Sequence, residues 1–268
     1  MSALAEASDN AGMFYSIVRS LNNFNEIEIK PIINCLLSIS ERENCFVGTY
    51  YRILGNVDTI LLLQNSKHFQ AACMLARGLF ELAVDMKLLE VDSKSWMKMK
   101  MFPDLEKLRS AKIAVNFRKA HPQTGVDVAT HSAFVTNNEQ RINATRRALW
   151  PNQSDILHWS GLRMRERVEQ LASPFDEIYA IDYPRLGWYV HPGLTGVLNL
   201  RAETFTYLCS YAFKLAADAY WESILVMIRE FRIEKATEKI REKMKLAKML
   251  PFTKDPAQAD GLARELLE

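Results

Sequence analysis

Apolar residues recur along this chain three and four positions apart, which is the period of one helix face; convincing two-residue alternation is missing. The strongest case is Asn65 to Glu90. There Phe69, Ala72, Cys73, Ala76, Leu79, Phe80, Ala83 and Val84 fill one face, while Met74, Leu75, Leu82 and Met86 occupy others. A helix apolar almost all round belongs in a core. A second long core helix is expected from Leu198 to Phe231, on the recurrence of Leu198, Ala202, Phe205, Leu208, Cys209, Ala212, Leu215, Ala216 and Ala219.

Between and around these two, shorter helices follow from caps and breakers. Met13 to Ser20 opens the bundle and stops at Asn22, Asn23 and Asn25. Pro31 suits the first turn of a helix running to about Asn44, and Phe46 to Gln64 continues helically. Ser93 caps a helix after Glu90, and Pro103 with acidic Asp104 and Glu106 begins another. Val128 to Leu149, Ser160 to Leu171 and Pro174 to Tyr183 complete the set before the second core helix. Ile233 to Leu250 reads as an exposed basic helix. The expected fold is therefore all-α, one helical bundle of about eight to ten helices.

The segments HPQTG and PNQSD are turns too short for domain linkers. A single domain over residues 13–250 is expected, with a flexible tail at 1–12 and a peripheral one at 251–268. A chain of 268 residues that is 49% hydrophobic can bury a core of that kind. The first twelve residues lack the basic start and apolar run of a secretory signal. Leu208 to Ile228, the longest apolar stretch, is interrupted by Lys214, Asp218 and Glu222 at i, i+4, i+8, so no membrane span is expected. Cys35, Cys45, Cys73 and Cys209 are scattered without a C-x-x-C pair, which fits free thiols in a cytoplasmic protein.

Chemistry narrows by exclusion. His68, His121, His131, His158 and His191 show no metal spacing, and there is neither a Gly-rich phosphate loop nor a G-x-S-x-G elbow. No metal and no cofactor are implied. Arg77, Glu81 and Asp85, also at i, i+4, i+8, place a charged stripe on the apolar helix, where they act as an internal ion-pair network or as the polar wall of a site. Arg185 and His191 lie in the aromatic segment Tyr183-Pro-Arg-Leu-Gly-Trp-Tyr-Val-His-Pro-Gly193. Pro192 disfavours helical geometry at His191, so the imidazole belongs where a helix stops. Imidazole can move a ribose 2′-hydroxyl proton while guanidinium neutralises charge growing on a phosphate. Basic residues Arg141, Arg146, Arg147, Arg163, Arg165 and Arg167, and the rings of Trp159 and Trp188, would suit an RNA partner; a solvated helix face and core packing explain the same residues.

The combination Ala76-Arg77-Gly78-Leu79-Phe80-Glu81, then His158-Trp159-Ser160-Gly161, then Tyr183-x-x-Leu186-Gly187-x-x-x-His191-Pro192 resembles a bacterial all-helical domain family of unknown function. That family is similar in turn to the HEPN superfamily, whose bundles include metal-independent ribonucleases, toxins and phage-defence effectors with an R-x4-6-H motif. The resemblance implies that Arg185 and His191 are the active pair, with Arg77, Glu81, Asp85 and Tyr183 as supporting polar residues. It also implies a homodimer lining one cleft with two motifs, and a neutralising or defence-system partner protein. The competing expectation is a noncatalytic interaction or scaffold module in a defence or regulatory complex, in which these residues hold the bundle together.

Overall fold

The computed structural model describes residues 3–36, 38–63, 68–153, 155–190, 202–233 and 242, without the side chains of 3–8, 188–190 and 202–205. The described residues are helical throughout their regular structure, with no strand among them. They gather into two compact units, one built from residues 1–91 and 168–268, the other from residues 92–167. No helix among the described residues is long and apolar enough to cross a membrane.

The first unit contains α1 (Ala3–Phe24), a π-helical turn (Asn25–Ile29), α2 (Lys30–Asn34), α3 (Glu41–Leu62) and α4 (Phe69–Val91). Later in the chain come α8 (Phe175–Ile181), α9 (Tyr183–Val190) and α10 (Ala202–Glu230). α10 packs along α4 and α1, α3 packs on α4, and α9 lies against α4. The interface is apolar where it is deepest: Ala76, Leu79, Phe80, Leu215, Ala216 and Ile224 are all fully buried. Burying each large side chain stabilises the fold by roughly 1.5–3 kcal/mol.

Polar ties fix the helices in register. The Tyr50 hydroxyl donates to Asn25 Oδ1 at 2.6 Å, which satisfies a fully buried amide in the π-helical turn. Tyr15 donates to the Leu61 carbonyl at 2.9 Å, joining α1 to α3, and Tyr220 donates to Asn22 Oδ1 at 3.2 Å, joining α10 to α1. At one end Arg229 Nη2 donates to Glu90 Oε2 at 3.2 Å, and Arg42 pairs with Glu230.

The second unit is built on the hairpin of α5 (Ser95–Ala120) and α6 (Ala129–Leu149). Its core is Met101, Leu108, Ile142, Trp150 and Ile156. The Trp150 indole N–H donates to the Trp159 carbonyl at 3.1 Å, so the buried ring leaves no orphan donor. The chain leaves through α7 (Met164–Glu169).

Several boundaries differ from the sequence pattern, each for a local reason. α1 begins at Ala3, before the expected start at Met13, and passes through Asn22 and Asn23 to Phe24, where helical geometry widens instead of stopping. The helix expected to persist to Asn44 ends at Asn34, and α3 restarts at Glu41 behind a capping box in which Ser40 Oγ accepts from Glu43 N–H at 3.2 Å. One helix, α5, replaces the two expected around Pro103: the ring is exposed, while Met101, Leu108 and Ala111 bury one continuous face. Only Met164–Glu169 of the helix expected at Ser160–Leu171 forms, because Gly161 takes a left-handed φ of +79°. The aromatic segment from Tyr183 to Val190, to which the sequence pattern assigned no element, is helix α9. Residues 198–201 of the second long helix lie outside the described residues, as does nearly all of the basic segment 233–250.

Candidate functional site

α9 carries two sets of side chains on different sides. Tyr183 and Gly187, four residues apart, share the face that meets α4, with Leu186 fully buried beside them. Arg185 is two residues from each, so it projects away from that face, and its side chain is exposed. Residues at i and i+2 of a helix do not face the same neighbour.

On the α4 side, Arg77 and Glu81 of the expected stripe meet through the Tyr183 hydroxyl. Arg77 Nη2 donates to the Tyr183 hydroxyl at 2.7 Å, and that hydroxyl donates to Glu81 Oε1 at 2.6 Å. The guanidinium also lies over the Tyr183 ring, 4.2 Å from its centroid. Phe80 and Tyr179 pack on the same ring at centroid distances of 5.5 and 5.3 Å. Burial, reinforced by Glu81 and opposed by Arg77, pushes the Tyr183 phenol up to about 12. Asp85, the third member of the stripe, is buried one turn further along α4. Gly187 makes room for this arrangement: a Cβ there would stand 2.6 Å from Arg77 Nη1, so the guanidinium would have to shift.

On the solvent side the Arg185 guanidinium rests over the ring of Tyr211 from α10, 5.0 Å from the centroid. Arginine stays charged and presents donors in a fixed fork, so a guanidinium parked on an aromatic face remains free in its plane to bind a phosphate. The other half of the expected pair, His191, lies outside the described residues, and so does the side chain of Trp188. The structure thus brings Arg77, Glu81 and Tyr183 together and places Arg185 beside Tyr211 on the neighbouring side of the same short helix. Tyr211 was not singled out by the sequence; its spacing from Tyr207, i and i+4 on one helix, is the signal for it.

The basic residues expected to meet RNA divide by environment. Arg141 pairs with Asp104 at 3.0 Å, and Arg146 Nη2 donates to the Gln153 carbonyl at 3.0 Å. Arg147, Arg163 and Arg165 are exposed. Arg167 is buried, with Nη1 3.0 Å from His158 Nε2, and Trp159 is buried too. On its other side the His158 ring meets the following turn, with Nδ1 2.9 Å from Ser160 Oγ and 3.2 Å from the Ser160 backbone nitrogen. Arg167 and Trp159 therefore serve the interior of the second unit, where His158-Trp159-Ser160-Gly161 forms a tight turn. Gly161 is favoured there because its φ of +79° is a backbone conformation that side chains rarely adopt.

Other chemistries find little footing among the described residues. They contain no group of three His, Cys, Asp or Glu side chains placed to hold a metal ion. The cysteines form no disulfide among the described residues, and burial pushes the Cys73 thiol up to about 12 and the Cys209 thiol up to about 11, which suppresses the thiolate. Compared with known proteins, the chain matches no family model, no curated protein and no solved structure.

Proposed function

We propose that this chain is a HEPN-like, metal-independent endoribonuclease that acts as a toxin or phage-defence effector, with Arg185 on the phosphate and His191 as general acid and base. The observation that supports the reading is the posture of Arg185: exposed, fixed over Tyr211, and carried by a helix pinned to α4 through Tyr183. The reaction needs no other group. The His191 imidazole takes the 2′-hydroxyl proton, the 2′-oxygen bonds to phosphorus, and the P–O5′ bond breaks. Imidazolium returns the proton to the leaving 5′-oxygen, leaving a 2′,3′-cyclic phosphate. Arg185 neutralises charge on the non-bridging oxygens as it grows.

On this reading two copies line one cleft with paired motifs, exposed Arg147, Arg163 and Arg165 contribute to RNA attraction, and a partner protein holds the activity in check. Expression of the full chain is expected to arrest growth, and His191→Ala to relieve the arrest while leaving helical content and melting temperature unchanged. Equal arrest by the variant overturns the assignment of His191.

A second reading is favoured by one observation. Arg77, Glu81 and Tyr183 satisfy one another within the bundle, as expected of a noncatalytic interaction or scaffold module whose polar residues fix helix register. Such a module predicts no arrest with either chain.

A further inference from the structure

The charges that interrupt the second long helix at positions 214, 218 and 222 take no part in the site above, and they line a cavity. It is half open to solvent and offers about 580 Å³ between α8, the residue joining α8 to α9, and one face of α10. That volume lies in the range of small-molecule sites. We propose that this cavity binds an aliphatic polyamine.

The walls divide into an anionic and an apolar part. Glu177, Asp182, Asp218 and Glu222 supply four carboxylates, against the single ammonium of Lys214. Lys214 is already engaged, at 2.6 Å from Asp182 Oδ2 and 3.0 Å from Asp218 Oδ2. One cation shared by two carboxylates leaves the cavity anionic, with Glu177 and Glu222 in no ion pair among the described residues. Burial pushes the carboxyls of Asp218 and Glu222 above their ordinary range even though Lys214 pulls Asp218, and Lys87 and Arg229 pull Glu222, the other way, so a cation brought into the cavity between them favours the charged form of both. Asp218 remains reachable from the cavity, with 39% of its side chain exposed.

Pro174, Ile178, Ile181 and Trp221, with the small polar Ser173, form the rest of the lining, an apolar wall that suits methylene groups. The spacing of the acids along α10 selects among cations. Asp218 and Glu222 stand one helical turn apart, so they present carboxylates in a row instead of converging on a point. No three such groups among the described residues are placed to hold a metal ion, and Lys214 already lies between Asp182 and Asp218. A chain bearing ammonium groups at intervals matches the row, and a compact divalent ion does not.

The test is isothermal titration of the full chain with spermidine at fixed ionic strength, alongside Glu222→Gln, Glu177→Gln and, as a control in the other unit, Asp155→Asn. One saturable site is expected, weakened about tenfold by Glu222→Gln, as for the loss of a charge-assisted hydrogen bond, weakened less by Glu177→Gln, and unchanged by Asp155→Asn. Magnesium chloride at matched ionic strength is expected not to displace spermidine. Absence of a saturable site, equal affinity in the Glu177 and Glu222 variants and the native chain, or displacement by magnesium overturns the proposal. Glu177 is exposed, so its variant still tests the site even if the Glu222 variant fails to fold.

Discussion

Gly187 and Arg77 occupy the same small volume: the guanidinium Nη1 lies 2.6 Å from where a Cβ on residue 187 would stand. The glycine sits inside helix α9, where alanine would be favoured by up to about 1 kcal/mol. Gly187→Ala therefore gains helix propensity but pushes Arg77 off the Tyr183 hydroxyl, a bond of the charged kind that contributes about 1.5–3 kcal/mol. Net destabilisation of about 1 kcal/mol is expected by urea unfolding. With Arg77→Met in the background the same substitution is expected to stabilise, and additive effects in that double-mutant cycle would refute the steric coupling.

The Tyr183 phenol gives the network a signature in alkali. Its pKa is raised from 10.0 to about 12 in the fold, so its contribution is complete below pH 10 and is lost as pH rises toward 12. Tyr183→Phe is expected to cost about 1–2 kcal/mol at neutral pH. The difference in stability between the native chain and the variant is expected to shrink across that alkaline window. A difference independent of pH would mean that burial and Glu81 do not hold the phenol protonated in the folded protein.

Two glutamates of the first unit are predicted to respond to acid with opposite signs. Burial acts to raise Glu90, but Arg229 and Lys87 outweigh it and hold the carboxyl below its ordinary value of 4.5. Its stabilisation is present above that value and disappears as pH falls through the folded pKa. Glu222 is raised by burial, so its favourable state is the protonated one, present below 4.5 and lost as pH rises. Glu90→Gln is thus expected to lower the melting temperature at pH 7 and to converge with the native chain in acid. Glu222→Gln is expected to raise the melting temperature at pH 7 and likewise to converge in acid. Shifts of the same sign at pH 7 would contradict the electrostatics assigned to these helices.

Much of the all-helical character was legible in the spacing of apolar residues, because burial on one face repeats every three or four positions whatever the neighbouring turns do. The breaks were harder. Ser40 and Glu43 carry the S-x-x-E pattern of a capping box, yet the apolar residues on either side run on in helical phase and mask the restart of α3. Pro103 misled in the opposite direction, since a proline whose ring faces solvent does not end a helix held by a buried face. At the site, the i, i+4 stripe of Arg77 and Glu81 was visible, but their shared partner Tyr183 comes from more than a hundred residues away. No local pattern encodes such a pairing. Tyr183 entered through the family resemblance alone, and Tyr211 beneath Arg185, marked only by its i, i+4 spacing from Tyr207, was not singled out.

Ser40 offers a compact check on the restart of α3. Ser40→Ala removes the oxygen that accepts from Glu43 N–H and is expected to cost about 1 kcal/mol in urea unfolding. A change below a few tenths would mean that α3 is held by packing alone.

The account of function turns on Arg185 acting with His191 upon RNA, and one measurement addresses it directly. The purified full chain is incubated with single-stranded RNA in excess chelator, and the new 3′ ends are analysed. Cleavage leaving 2′,3′-cyclic phosphate is expected, falling at least about a hundredfold in His191→Ala and strongly in Arg185→Ala, with both variants folded. Intact RNA with the native chain, or equal cleavage by the native chain and the two variants, would contradict it.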